Sequence, residues 1–120
     1  MRGASIRLSH YVNFHGRARE ALEFYHRILG GALDLQTSRV EIDGAMISAT
    51  DGHPKYPPTV GDNMAIALSG RDADRLTRIF HGLSEGGKIK GALSPQPAVG
   101  QVGYLMDRFG INWIITIEQA

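Results

Sequence analysis

Histidine is the side chain in this sequence best suited to ligate a metal or to move a proton, and the chain has five. His10 lies in a stretch predicted to be a strand, where its imidazole could ligate a cation or hydrogen-bond a small molecule. The alternative is a partly buried histidine bonded to the backbone. His26 and His81 lie on predicted helices beside the buried stripe, and we interpret them as surface or dimer-contact residues. The absence of cysteine excludes thiolate chemistry, a disulfide scaffold and a cysteine zinc site.

Further polar residues lie in proline-rich and turn-rich segments. His53, Lys55 and Tyr56 stand beside prolines in the central loop, and binding residues often concentrate on such loops, although a loop histidine is commonly just solvated. Three aspartates border predicted turns, where aspartate bonds nearby backbone groups, so we expect turn chemistry from Asp51, Asp62 and Asp107. No GxGxxG after a strand, GxxxxGK[ST], HExxH or GxSxG motif supports a nucleotide, zinc-protease or serine-hydrolase function.

Size and charge narrow the class of protein. The chain has 120 residues and a formal net charge of +1, from 13 basic and 12 acidic side chains. These charges are scattered, so the sequence predicts neither a nucleic-acid nor a membrane partner. The first residues lack the apolar run of a signal peptide, and we expect a cytoplasmic protein.

The elements that would position these residues occur twice. The segment HYVNFHGRAREALEFYHRILGG from His10 aligns with AIALSGRDADRLTRIFHGLSEGG from Ala65 at an offset of 55 residues. Tyr25 then corresponds to Phe80. Each copy predicts a strand, a turn, an amphipathic helix with one buried stripe and a glycine stop.

Turn-forming residues in the rest of the sequence divide it into further strands, so that each half is predicted to be β-α-β-β-β. In the first half the predicted helix spans 17–29 and the strands span 6–14, 33–38, 39–42 and 45–50. In the second half the predicted helix spans 72–84 and the strands span 64–69, 88–93, 103–107 and 112–118. Asp43-Gly44 indicates a two-residue hairpin, and the loop around Pro95 and Pro97 is expected to cover an opening or an edge. Because each half offers one helix for several strands, we expect the halves to pack together or to exchange between subunits of a homodimer.

Three segments carry a resemblance to a known family: HYVNF, AREALEFYHRILGG and the ending DRFGINWIITIE. They resemble the glyoxalase, bleomycin-resistance and extradiol-dioxygenase (vicinal oxygen chelate) superfamily, and especially its PhnB-like branch. The resemblance implies an α+β fold in which two βαβββ modules form a curled mixed sheet around a cavity. It thus implies one glyoxalase-like domain over 1–120, with halves at about 6–50 and 64–118 joined by the loop 51–63.

The resemblance also implies a divalent metal held by one His, Gln or Glu from each of four strands. Carried over by position, the ligands fall on His10, Ala65, Ser48 and Ile115, with a register uncertain by one residue. One imidazole beside alanine, serine and isoleucine is not a metal site. We therefore expect no metal and no other cofactor. Relatives are sometimes labelled demethylubiquinone methyltransferases, but the glycine-rich turn of the usual methyl-donor fold is missing.

What the family pattern leaves is an uncharged pocket for an apolar or aromatic small molecule. Since strand side chains alternate between cavity and helices, the sequence predicts a pocket lined by His10, Val12, Phe14, Ser48, Thr50, Ala65, Ala67, Trp113 and Ile115. Trp113 could equally be core. One alternative function is a metal-dependent lyase, isomerase or dioxygenase in which His53 or a second subunit completes the ligand set. Another is a structural or partner-binding module.

Overall fold

The computed structural model describes residues 9–119 and divides the chain into two compact units, one ending at Pro58 and the other beginning at Thr59. The elements of the first unit are β1 (His10–Asn13), α1 (Ala18–Leu29), β2 (Ala32–Asp34), β3 (Arg39–Ile42) and β4 (Ala45–Thr50). The elements of the second unit are β5 (Ile66–Gly70), α2 (Ala73–Ser84), β6 (Lys88–Gln96), β7 (Gly100–Met106) and β8 (Asn112–Glu118). The predicted α+β class with two βαβββ modules is confirmed.

Both units arrange their strands in the same order. The first sheet runs β1-β4-β3-β2 and the second runs β5-β8-β7-β6. In each, the first strand pairs in parallel with the last, and the other pairs are antiparallel. The repeat is also preserved in the helices, since each end of α2 lies 55 residues after the corresponding end of α1.

Helix α1 forms because its apolar residues recur on one face, and that face lies against the first sheet. Ala21 and Tyr25 are fully buried, as is Val40 of β3. The start of the helix is unusual because Arg17, its N-cap residue, makes no side-chain cap hydrogen bond. Asp51, which follows β4, accepts from the backbone N–H groups of Gly16 and Ala18 at 2.8 Å each, and so replaces the missing cap.

Helix α2 is capped by its own sequence. The side chain of Asp72 accepts a hydrogen bond from the Arg75 N–H at 3.1 Å. The helix lies close to β7 at Gly103, where an added Cβ would stand 2.6 Å from the Phe80 ring. A side chain at this position would displace a fully buried aromatic residue, so the close approach requires glycine.

Two predicted boundaries in the first unit differ from the structure. Residues 6–8 of the first predicted strand lie outside the described residues. The strand predicted over 33–38 ends at Asp34, because its carboxylate accepts from the N–H groups of Gln36 and Thr37 and begins a turn. The predicted hairpin at Asp43-Gly44 is present, with positive φ at both residues.

The loop predicted around two prolines of the second unit was wrong at Pro95, whereas Pro97 does lie in the turn between β6 and β7. Instead of a covering loop, β6 continues to Gln96, and Pro95 pairs with Gln101 of β7. The strand tolerates this proline because β6 is the edge strand of its sheet, where a missing N–H breaks no interior ladder. Strand β7 accordingly begins at Gly100, three residues earlier than predicted.

Candidate functional site

Strand register decides which predicted pocket residues of the first unit share a face. His10 pairs with Ile47 and Val12 pairs with Ala49, and Ile47 and Ala49 are buried on the side of the sheet that α1 covers. Phe14, just after β1, contacts the helix residue Tyr25 with ring centroids 6.0 Å apart. The opposite face, which we call the helix-distal face, carries Tyr11, Asn13, Ser48 and Thr50.

The same rule divides the predicted residues of the second unit. Trp113 pairs with Ile66 and Ile115 pairs with Leu68, and both Trp113 and Ile115 are buried on the side of α2. The helix-distal face of this sheet carries Ala67, Tyr104, Ile114 and Thr116.

The structure therefore does not bring the predicted pocket residues onto one face. Among those within strands, Ser48, Thr50 and Ala67 lie on helix-distal faces, whereas the register assigns five of the predicted residues to the helix side: His10, Val12, Phe14, Trp113 and Ile115. A shift of one residue in a strand moves a side chain to the other face, and the sequence left that register open. As ligand contacts, all nine residues stay predictions.

His10 has the backbone partner that one interpretation assigned to it. Its Nδ1 lies 3.3 Å from the carbonyl oxygen of Met46, and the residue is exposed. The tautomer with a proton on Nδ1 donates this hydrogen bond.

Asp107 is the most deeply buried charged residue of the second unit, with 2% of its surface exposed. One carboxylate oxygen accepts from the N–H groups of Phe109 and Ile111, at 2.8 and 3.0 Å. The other accepts from the indole Nε1–H of Trp113 at 2.9 Å. The D-x-F-G-x-x-W ending is thus a structural device that closes the β7–β8 turn and fixes Trp113, and the prediction of turn chemistry at Asp107 is confirmed.

The central-loop residues gather around the start of α1. His15, Gly16, Asp51, His53 and Pro54 line a cavity of about 240 Å³. The Nδ1 of His53 accepts from the N–H of Lys55 at 3.1 Å, and the ring of His53 lies 5.9 Å from that of Tyr56. The prediction of turn chemistry at Asp51 was wrong, because its carboxylate accepts from backbone N–H groups at the start of α1 and not from its own turn.

A larger cavity of about 450 Å³ lies in the second unit. It is bounded by the segment before β5 and by strands β6, β7 and β8, and its lining residues are Asp62, Asn63, Met64, Ala65, Lys90, Tyr104, Leu105, Asn112, Trp113 and Ile114. Leu105 and Trp113 are 0% and 1% exposed, so they form the buried part of the cavity wall. Tyr104 is 44% exposed and is accessible to a ligand.

Two hydrogen bonds connect polar groups at this cavity. The Lys90 ammonium donates to the side-chain oxygen of Asn112 at 3.3 Å, and the Asn112 amide donates to the carbonyl oxygen of Gly61 at 3.5 Å. Sequence reasoning had not selected Lys90 or Asn112. The cavity thus combines apolar residues with the Lys90 cation and the polar side chains of Asp62, Asn63 and Asn112, an arrangement able to orient a small molecule.

The comparisons with known proteins agree with this architecture. Residues 7–115 match the family described as Glyoxalase/Bleomycin resistance protein/Dioxygenase superfamily. The chain belongs to this superfamily. No curated protein matches the sequence.

Solved structures share the fold along nearly the whole chain. Protein PA1353 from Pseudomonas aeruginosa is 29% identical, with a TM-score of 0.85 over 97% of this chain and 100% of that one. The PhnB protein from Bacillus cereus, named as a proposed 3-demethylubiquinone-9 3-methyltransferase, is 19% identical, with a TM-score of 0.72 over 92% and 98% of the two chains. A glyoxalase/bleomycin resistance protein from Albidiferax ferrireducens T118 is 16% identical, with a TM-score of 0.67 over 91% and 96%.

The divalent metal that the family implies does not fit the residues present. Of the four carried-over positions, only His10 offers a usual ligand, and its register partner is the buried Ile47. Ile115 is fully buried on the side of α2. Within residues 9–119, no three His, Asp or Glu side chains are grouped so that they could hold a metal ion. No helix in that same range is long and apolar enough to cross a membrane.

Proposed function

We propose that this protein binds an organic small molecule in the 450 Å³ cavity of the second unit, and that it does so without a bound metal. The composition of the cavity wall carries the proposal. Tyr104 and Ile114 are register partners on the helix-distal face of β7 and β8, and Met64 and Ala65 extend the wall from the segment before β5. The volume lies within the range of about 300–1,000 Å³ typical of small-molecule sites.

Apolar contact supplies most of the binding free energy in such a site. A planar ligand that removes roughly 100 Å² of apolar surface from water gains about 2.5 kcal/mol. An offset or edge contact with an aromatic ring adds about 0.5–1.5 kcal/mol to that gain. Tyr104 is the exposed aromatic residue of this wall, so its ring is the side chain on which the binding of a planar molecule depends most.

The test uses a neutral planar probe, 2-naphthamide, titrated into ¹⁵N-labelled protein and followed through amide chemical shifts. We expect saturable shifts at Ala65, Tyr104 and Ile114. Tyr104→Ala should weaken binding roughly tenfold, because it removes both the aromatic contact and part of the buried area. Tyr11→Ala is the matched control, since Tyr11 is a strand tyrosine of the first unit that is 71% exposed. Shifts that map to the first unit, or equal weakening by both variants, would contradict the site.

The metal-free part of the proposal has a separate test against the rival function, a metal-dependent lyase, isomerase or dioxygenase. Protein purified without a chelator is analysed for divalent metals, alongside His10→Ala. We expect metal content far below one ion per chain, and equal in both proteins. Near-stoichiometric metal that disappears with the substitution would support the rival enzyme instead.

We also propose that the chain forms a homodimer. The support is that each module supplies one helix for four strands, so each sheet needs a second layer for its other face. Light scattering on the eluting protein at several concentrations should give the mass of two chains. A monomer mass at all concentrations would overturn this proposal and would leave the cavity proposal untouched.

A further inference from the structure

We infer that the cavity of the second unit selects organic anions, with the Lys90 ammonium binding the carboxylate of an aromatic acid whose ring lies against Tyr104 and Ile114. This inference rests on the proposed function and adds the charge of the ligand to it. Its basis is the placement of Lys90 beside the apolar part of the wall, in a cavity in which Asp62 is the other charged lining residue.

Lys90 is an exposed residue whose ammonium bonds to a buried side chain of the cavity wall. Its ammonium donates to Asn112, which is only 8% exposed and is itself anchored to the carbonyl of Gly61. Within residues 9–119, Asn112 is the one hydrogen-bond partner of the Lys90 ammonium, and no ion pair involves Lys90. An ammonium has three N–H donors, so two remain for a ligand in the cavity.

An anion satisfies those donors better than a neutral group does. Hydrogen bonds to charged partners contribute more than neutral ones, and an ammonium acts on a carboxylate as a point charge. The anchored side chain has also lost part of its rotational freedom before a ligand arrives, which lowers the cost of ordering it on binding.

Asp62 places a negative charge in the same cavity as the Lys90 ammonium. Its side chain lines the same cavity, and within the described part of the chain it forms no ion pair with Lys90. It lies in the segment before β5 rather than in the sheet. Its carboxylate therefore weakens the preference for anions through space, and it does not occupy the Lys90 donors.

Two probes of nearly equal shape isolate the charge: 2-naphthoate and the neutral 2-naphthamide. Both are titrated at low ionic strength against wild type, Lys90→Met, Lys90→Arg and Asp62→Asn, and followed through amide chemical shifts. We expect wild type to bind naphthoate at least about tenfold more tightly than naphthamide. Lys90→Met should remove that difference by weakening naphthoate far more than naphthamide, and saturable naphthamide binding that persists in the variant shows that it is folded. Lys90→Arg should keep the preference, and Asp62→Asn should increase it.

The outcomes separate the inference from the function on which it rests. Equal affinity of wild type for both probes, or a preference that survives Lys90→Met, would overturn the anion selectivity while the cavity remains a binding site. Absence of saturable binding by either probe would overturn both. Loss of the preference in Lys90→Arg would also contradict the inference, because arginine retains the positive charge.

Discussion

The two βαβββ units share strand order and helix bounds, yet their helix-distal sheet faces differ in chemistry. In the first unit that face carries Asn13, Arg39, Glu41, Ser48 and Thr50, together with Tyr11 and Met46. In the second unit it carries more apolar residues, among them Ala67, Val102, Tyr104 and Ile114, beside the polar Ser69 and Thr116. The cavity of about 450 Å³ lies in the second unit. The two units therefore share what folds each of them, the buried helix stripe and the sheet order, while the sheet faces that the helices leave uncovered differ.

The units also differ in where the aspartate that caps each helix lies along the chain. In the first unit, the cap of α1 comes from Asp51. Its carboxylate accepts a hydrogen bond from the N–H of Ala18, which lies 33 residues earlier in the chain. In the second unit, α2 is capped locally by Asp72. Asp107 has a third task, since it joins the β7–β8 turn to Trp113. The difference predicts unequal effects when each aspartate is replaced.

Asp107→Asn should have the largest effect on stability. The substitution removes a buried charge acceptor shared by two backbone N–H groups and the Trp113 indole, and it places an NH₂ group among donors. We expect a loss of about 3 kcal/mol in the free energy of unfolding. Urea unfolding followed by tryptophan fluorescence measures it in the second unit, because Trp113 is the one tryptophan in the sequence.

Asp62→Asn is the matched control for that measurement. Asp62 is exposed, and the same loss of a carboxylate there should change the unfolding free energy by no more than about 0.5 kcal/mol. Equal stability of the two variants would show that Asp107 does not hold the last turn of the second unit.

The two helix caps provide the next comparison. Asp51→Ala removes the acceptor for two N–H groups, at Gly16 and Ala18, whereas Asp72→Ala removes the acceptor for one, at Arg75. We expect losses of about 2 and about 1 kcal/mol, near the upper end and the middle of the range for helix caps. Amide hydrogen exchange at the start of each helix measures the effect in its own unit. A larger loss from Asp72→Ala would refute the idea that the distant cap is the stronger one.

Most of the fold could be predicted from local patterns. The helices follow from apolar residues at helical spacing. Strands β3, β4 and β8 have the predicted bounds, because turn residues mark both ends of β3 and β4 and the start of β8. The extension of β6 through Pro95 could not be predicted, since proline is excluded from interior strands and only the sheet order shows that β6 lies at an edge.

The candidate site was less predictable than the fold. Trp113 and Ile115 alternate correctly with Ile114, but the sequence does not say which of the two sets faces the helix, and a one-residue choice reverses the answer. Lys90 and Asn112 come together only when β6, β7 and β8 pair, so no spacing along the chain connects them. The single signal in the sequence is the asparagine within the DRFGINW segment, at the start of a predicted strand.

The smallest expected effect concerns the turn after β2, which belongs to the first unit alone. The pKa of Asp34 lies below its usual value, mainly because its carboxylate accepts a hydrogen bond from the Thr37 N–H. The Thr37 side chain, the Gln36 N–H and the charge of Arg39 lower it further by smaller amounts. A carboxyl group with a lowered pKa in the folded state stabilises that state above its unfolded pKa, near 3.9, and this contribution is lost as the pH falls through the folded value. Asp34→Asn should therefore be slightly less stable than wild type at pH 7, and the gap should close between about pH 4 and the folded pKa. Thermal unfolding of both proteins across that interval measures it, and a gap that widens on acidification would contradict the assignment.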